Sequence, residues 1–246
     1  MKKNSLLVVL FLLIASLAPG SWGNDFDLGL YQLNRGEFKK AIAEFEPLVA
    51  EGYSPAQYQM GLIYLNGNGV RKNAQKAFEF FSLAADQNYP DAQFNLALMY
   101  TEGKVTEKDL KKAFELTEKA ANKNLASAQF NLGVMYYNGE GVKQDYFKAS
   151  RWYQRAADMN YALAQFNLAL MYFEGRGVEK STEMSYVWNI IAAKNGYKPA
   201  EKSRDMDEHK LSVAKIQEGR EKAEALYRKI VEQAEIRAQK DNIRKF

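Results

Sequence analysis

Side-chain catalysis needs a nucleophile, a base and something to orient them, and this chain carries few of the residue types that fill those roles. His209 is the only histidine and cysteine is absent. No Ser-His or Cys-His arrangement and no His- or Cys-rich ligand spacing can be assembled from what remains, which excludes catalytic triads and zinc sites. Carboxylates are plentiful, and a catalytic pair of them is defined by geometry rather than by spacing. Glu102, Glu140 and Glu174, however, sit beside loop glycines, where a carboxylate is solvated. His209 lies in the polar stretch 205–210 and reads as exposed. The loops Gly67-Asn68-Gly69-Val70, Gly139-Glu140-Gly141-Val142 and Gly175-Arg176-Gly177-Val178 invite comparison with phosphate cradles. Those require Gly-x-Gly-x-x-Gly, or a following Gly-Lys-Ser/Thr, after a buried strand, and neither condition is met. The expectation is a protein with no catalytic residue, no cofactor and no metal.

The same glycines recur with a period. Ala56-Gln57-Tyr58-Gln59-Met60-Gly61 returns 36 residues later as Ala92-Gln93-Phe94-Asn95-Leu96-Ala97, then as Ala128 to Gly133 and Ala164 to Ala169. Tyr64, Tyr100, Tyr136 and Tyr172 keep the phase, as do Gly67, Gly103, Gly139 and Gly175. Within one period, Ala128, Leu132, Met135 and Tyr136 fall at helical spacing, as do Ala149, Trp152, Tyr153, Ala156 and Ala157 beyond the loop. Each period is therefore a helix, a glycine turn and a second helix. Gly103-Lys104-Val105-Thr106 lacks the second glycine, so that turn should differ. Gly52, Asn88, Asn124, Asn160 and Gly196 also stand 36 apart, each just after a second helix. Only Gly and Asn enter the left-handed region cheaply, which marks these positions as helix C-caps.

The pattern Ala-x-x-x-Leu-Gly-x-x-Tyr-x-x-Gly-x-Gly-Val followed by Lys-Ala-x-x-Trp-Tyr-x-x-Ala-Ala resembles the Sel-one-like repeat, a relative of the tetratricopeptide repeat. Residues 127–162 carry it most fully, with Leu132, Gly133, Tyr136, Gly139, Gly141, Val142, Asp145, Lys148, Ala149, Trp152, Tyr153, Ala156 and Ala157; the resemblance extends over about residues 25–197. It implies an all-α fold, a right-handed superhelical solenoid of antiparallel helix pairs, that serves as a protein-interaction scaffold. Aligned on the tetratricopeptide frame, Tyr58, Phe94, Phe130 and Phe166, with Gln59, Asn95, Asn131 and Asn167 beside them, belong to slots of the first helices that face a concave groove. Tyr137 and Phe173 occupy further groove slots. Such a ladder could hydrogen-bond the backbone of a partner segment and bury its side chains; the same residues could equally stabilise neighbouring repeats. Most other recurring aromatics, Trp152 and Trp188 among them, fill gaps between helices in this family.

Both ends depart from the pattern. Residues 24–54 fit the frame with a loop four residues shorter and read as an N-terminal tetratricopeptide-like capping unit. Four repeats follow over residues 55–198. Beyond them Arg204, Asp205 and Glu208 occupy the slots of Leu, Gly and Tyr, so residues 199–246 read as charged capping helices that give the stack a polar end. Ser212 can cap a helix whose stripe of Ile216, Ala223, Leu226, Ile230 and Ala234 packs either on the last repeat or on a partner.

Residues 1–23 have the layout of a signal peptide: Lys2 and Lys3, an apolar run of about 13 residues from Leu6 to Ala18, then Pro19-Gly20. The run is short of the ~20 residues that span a bilayer, so the expectation is cleavage, preferably after Gly23, export to the periplasm or beyond, and no stable membrane insertion afterwards. Cleavage would leave 32 basic residues facing 30 acidic ones, a balance that argues against nucleic acid as partner. The expected function is a non-enzymatic adaptor that binds a protein; a glycan- or cell-wall-binding module using the same aromatic ladder is the alternative.

Overall fold

The computed structural model describes residues 21–243. The expected leader therefore lies, up to residue 20, outside the described residues. Among the described residues the fold is all helix. Its elements are α1 (Ser21–Asn34), α2 (Phe38–Ala50), α3 (Ser54–Asn66), α4 (Ala74–Asp86), α5 (Pro90–Glu102), α6 (Leu110–Asn122), α7 (Ala126–Asn138), α8 (Tyr146–Asp158), α9 (Ala162–Glu174), α10 (Thr182–Lys194), α11 (Lys198–Glu208) and α12 (Val213–Ile243). Packing divides the chain into two compact units, up to Ala92 and from Gln93 onward, the divide falling within α5. In the first unit α1 pairs with α2 and α3 with α4; in the second, α6 to α10 pack in succession, with α11 and α12 on α10. None of these helices is long and apolar enough to cross a membrane.

Local chemistry sets the helix ends. Helices α4, α6, α8 and α10 start on a capping side chain: Asn73, Asp109, Asp145 and Ser181 accept from the backbone N–H three residues on, at 2.9–3.1 Å, satisfying an N–H that the helix cannot. They stop at the positions the 36-residue phase marks. Asn88, Asn124 and Asn160 have φ of 61°, 64° and 65°, and Tyr161 N–H returns to the Ala156 carbonyl at 3.1 Å, the bonding of a left-handed helix cap. The loop of residues 103–106 keeps only its first positive-φ glycine, Gly103.

Each repeat's core is built on a complementarity between its two helices. A Cβ on Gly61 would meet the Phe81 ring at 2.5 Å, and one on Gly133 the Tyr153 ring at 2.6 Å; Gly29 abuts Phe45 in the same way. In these pairs glycine makes room for an aromatic ring buried on the second helix. Where the first helix carries alanine instead, the second carries a small polar residue: Ala97 is matched with Thr117, and Ala169 with Asn189. Thr117 satisfies its hydroxyl on the Ala113 carbonyl at 2.7 Å. Interiors are close-packed, so the two positions vary together.

The apolar stripe of α12 packs on the last helix pair. Ala223 and Ile230 are buried in one cluster with Val187, Trp188 and Ile191. Gly219 lets α12 approach, since a Cβ there would meet the Tyr186 ring at 2.8 Å. A polar clasp secures the contact: Tyr186 Oη donates to Glu208 Oε2 at 2.8 Å, and Arg220 donates to Tyr186 Oη at 3.1 Å and to Glu208 Oε1 at 2.8 Å.

Candidate functional site

Of the residues that the sequence offers for partner binding, the aromatics of the row are half-buried and leaned against their own repeat. In the first unit Tyr58 lies 5.8 Å from Phe81 and 5.2 Å from Tyr89, ring centre to ring centre; burial and, secondarily, the Asp91 carboxylate push the Tyr89 phenol up to about 12. Gln59 beside Tyr58 is half-buried. In the second unit Phe130 lies 5.7 Å from Tyr153 and 5.3 Å from Tyr161, and Phe166 lies 5.0 Å from Tyr197. Phe94 packs against the same core as Phe130. One side of each ring is thus spent on packing. Asn95, Asn131 and Asn167 are half-buried next to them, and Asn167 returns its amide to the Leu163 carbonyl at 3.0 Å. These rings pack against their own repeats and stay partly exposed, a balance that sequence spacing alone leaves open.

Tyr137 belongs to a separate cluster. Its ring crosses that of Tyr146 at 5.0 Å, its hydroxyl donates to Glu174 at 3.4 Å and accepts from Arg176, and the Arg176 guanidinium lies over both rings. Phe173 lies elsewhere, with the Lys210 ammonium 4.2 Å from its ring centre. Phe166 and Phe173 come together at a cavity of about 180 Å³, lined also by Leu170, Met206, Ser185, Asn189, Ser203, Asp207 and Lys210.

One wall of this cavity is polar. Asp207 is 3% exposed, and its carboxylate accepts at Oδ2 from Ser185 Oγ at 2.6 Å and from Asn189 Nδ2 at 2.9 Å. Burial raises its pKa above the usual carboxylate range, against which the two hydrogen bonds and the Lys210 charge act. Asn189 stands where Tyr153 stands one repeat earlier. The sequence reading missed this site because polar residues past 199 look like the end of a repeat. The signal was in the phase: Asp207 occupies the slot of Ile63, Met99, Met135 and Met171, all of them buried.

A second unpredicted set is the buried glutamine of the recurring Ala-Gln-Phe-Asn segment. Gln129 and Gln165 donate to the carbonyls of Ala121 and Ala157, each at 3.2 Å, tying a first helix to the end of the preceding second helix. Gln165 Oε1 accepts from Asn195 at 2.8 Å and, in the first unit, Gln57 Oε1 accepts from Gln87 at 2.8 Å. At the corresponding position beside Gln129 stands Met159, and Gln129 Oε1 has no partner among the described residues.

The Sel1 repeat matches residues 54–89, 90–125, 126–161 and 162–197, more than half of the chain. The chain belongs to the Sel1 repeat family. Among solved structures it is similar to a protective antigen of uropathogenic Escherichia coli with an SLR fold, at 32% identity and a TM-score of 0.78, over 88% of this chain and 47% of that one. It is also similar to a Sel1 repeat protein from Oxalobacter formigenes, at 31% identity and a TM-score of 0.67, over 71% of this chain and 72% of that one. The chain thus spans about half the length of the E. coli protein. Comparison with curated protein sequences gives no match. The fold class is the all-α solenoid of antiparallel helix pairs expected from the sequence, and Sel1 repeat proteins are in general non-catalytic scaffolds for protein–protein interaction.

Proposed function

We propose that this Sel1 repeat protein is a non-enzymatic adaptor that holds a segment of a partner protein against Phe94, Asn95, Phe130, Asn131, Phe166 and Asn167 of the second unit, with Tyr137 and Phe173 as flanking contacts, Tyr58 and Gln59 offering the same aromatic-and-amide pair in the first unit. The observation that carries the reading is the recurrence of a half-buried aromatic beside a half-buried amide at one slot of every repeat. Aromatic edges supply contact area at small conformational cost, and amides pair with peptide backbone. Leu98 and Leu170, further exposed apolar residues of the same helices, add to the apolar surface that a partner would cover. The basic and apolar leader of residues 1–23 supports a place in the bacterial envelope or outside the cell.

The test is capture from an envelope extract by the purified chain, comparing the parent with a Phe94→Ala, Phe130→Ala, Phe166→Ala variant whose helicity is verified by circular dichroism. A protein held by the parent and released by the folded variant supports the reading. The same protein held equally by both refutes it, and retention of soluble cell-wall fragments in place of any protein would favour glycan binding.

A further inference from the structure

Three positions in the last helix pair and α11 break the repeat pattern, and all three converge on one point. Ser185 replaces the alanine found at Ala77, Ala113 and Ala149; Asn189 replaces Phe81, Thr117 and Tyr153; Asp207 replaces Ile63, Met99, Met135 and Met171. Each is at most 3% exposed. Removing a carboxylate from water is costly. A cluster that served only to tie α11 to α10 would need no cavity beside it. Here the three side chains line the cavity of about 180 Å³.

The unused bonding capacity has one sign. Both donors that reach the carboxylate end on Oδ2, so what the polar wall has left to offer is Asp207 Oδ1, an acceptor that carries negative charge. The remaining walls, Phe166, Leu170, Phe173 and Met206, are apolar. An acceptor at one end, an apolar sleeve and an aromatic ring match an ammonium or guanidinium on an alkyl stem. The protein's own cation already marks the site: Lys210 lines the same cavity with its ammonium 4.2 Å from the Phe173 ring centre.

We propose that this cavity is an anchor pocket for a lysine or arginine side chain of the partner protein, its donors meeting Asp207 and its stem lying between Phe166, Phe173 and Met206. The assignment rests on the adaptor reading above and names what the last repeat selects in the bound segment: a basic residue. Lys210 holds the place in the unbound protein and gives way.

The test follows the Met206 methyl signal in the purified chain labelled with ¹³C-methyl methionine, the signal being identified by Met206→Leu. n-Butylammonium and n-butylguanidinium are titrated in parallel with n-pentanol as the uncharged probe. A saturable shift with the cations, at least tenfold weaker with the alcohol, is the expected result. Asp207→Asn should weaken the cations at least tenfold while leaving the alcohol unchanged, Asp207→Met should abolish the cation response by restoring the residue of the other repeats, and Lys210→Ala should strengthen it. The Met135 methyl reports whether each variant keeps its fold. Equal binding of cation and alcohol, an unchanged cation affinity in Asp207→Asn, or no saturable shift at all overturns the proposal. Partner capture lost in the Phe94, Phe130 and Phe166 variant yet intact in Asp207→Met would sink the pocket alone; capture unaffected by either would sink the adaptor reading itself.

Discussion

Gly133→Ala should change sign according to what faces it. Alanine is the better helix former by ~1 kcal/mol in a helix interior, so in open surroundings the substitution stabilises. In the native protein the new Cβ would lie 2.6 Å from Cδ1 and 2.7 Å from Cε1 of Tyr153, where ordinary contact needs about 3.4 Å or more. Tyr153 is 3% exposed and wedged against Phe130, so it cannot yield freely. Overpacking of this kind costs ~1–3 kcal/mol, and against the helix gain the net expectation is a destabilisation of ~1 kcal/mol. In a Tyr153→Thr background, which copies the Ala97 and Thr117 pairing, the clash disappears and Gly133→Ala should stabilise by ~1 kcal/mol. The double-mutant cycle therefore predicts a coupling of ~2 kcal/mol, measured by urea unfolding of the four chains followed by circular dichroism. An effect of Gly133→Ala that is the same in both backgrounds would refute the complementarity argument.

Other variants test separate features. Met159→Gln should raise the unfolding midpoint by supplying Gln129 Oε1 with the donor that Gln87 and Asn195 give elsewhere, a gain of ~1 kcal/mol, and an unchanged midpoint would count against that role. Ile230→Ala, which opens a hole where α12 meets the last helix pair, should cost ~2–5 kcal/mol in thermal or urea unfolding; a loss under ~0.5 kcal/mol would mean the helix is not docked. Asp207→Asn carries a pH signature. Because burial raises this carboxyl in the folded state, its contribution to stability is fully present below the unfolded pKa and is lost as pH rises through the folded value. The variant's advantage in melting temperature over the parent should accordingly be larger near pH ~7 than near pH ~4, and a pH-independent difference would contradict a desolvated carboxyl.

Period and phase made the helix pairs, the glycine turns and the caps at Asn88, Asn124 and Asn160 legible before any coordinates, because each rests on a backbone demand that few residue types meet. The recurrence of the aromatics was legible and their packing was not: nothing in the spacing of Phe130 says that Tyr153 and Tyr161 flank it. The Asp207 pocket was illegible for a different reason. Arg204, Asp205 and Glu208 announce the end of the consensus, yet α11 continues the helix frame, and a buried acid is recognisable only when Met99, Met135 and Met171 are seen to share its slot. Gln129 and Gln165 were visible as recurring letters, and their role as ties between helices emerged only with the carbonyls they reach.

The second glycine of the turns at 139–142 and 175–178 governs more than the turn. A Cβ on Gly141 would overlap the Leu110 carbonyl oxygen, and one on Gly177 that of Tyr146, so each loop rests directly on the start of the preceding second helix, backbone against backbone. Side chains can repack to absorb an error, whereas a backbone seat cannot. The distance from one repeat to the next within residues 93–246 is therefore gauged by the absence of an atom. A substitution at either glycine would act as a shim, displacing every contact beyond it along the stack while leaving the helices on either side individually sound.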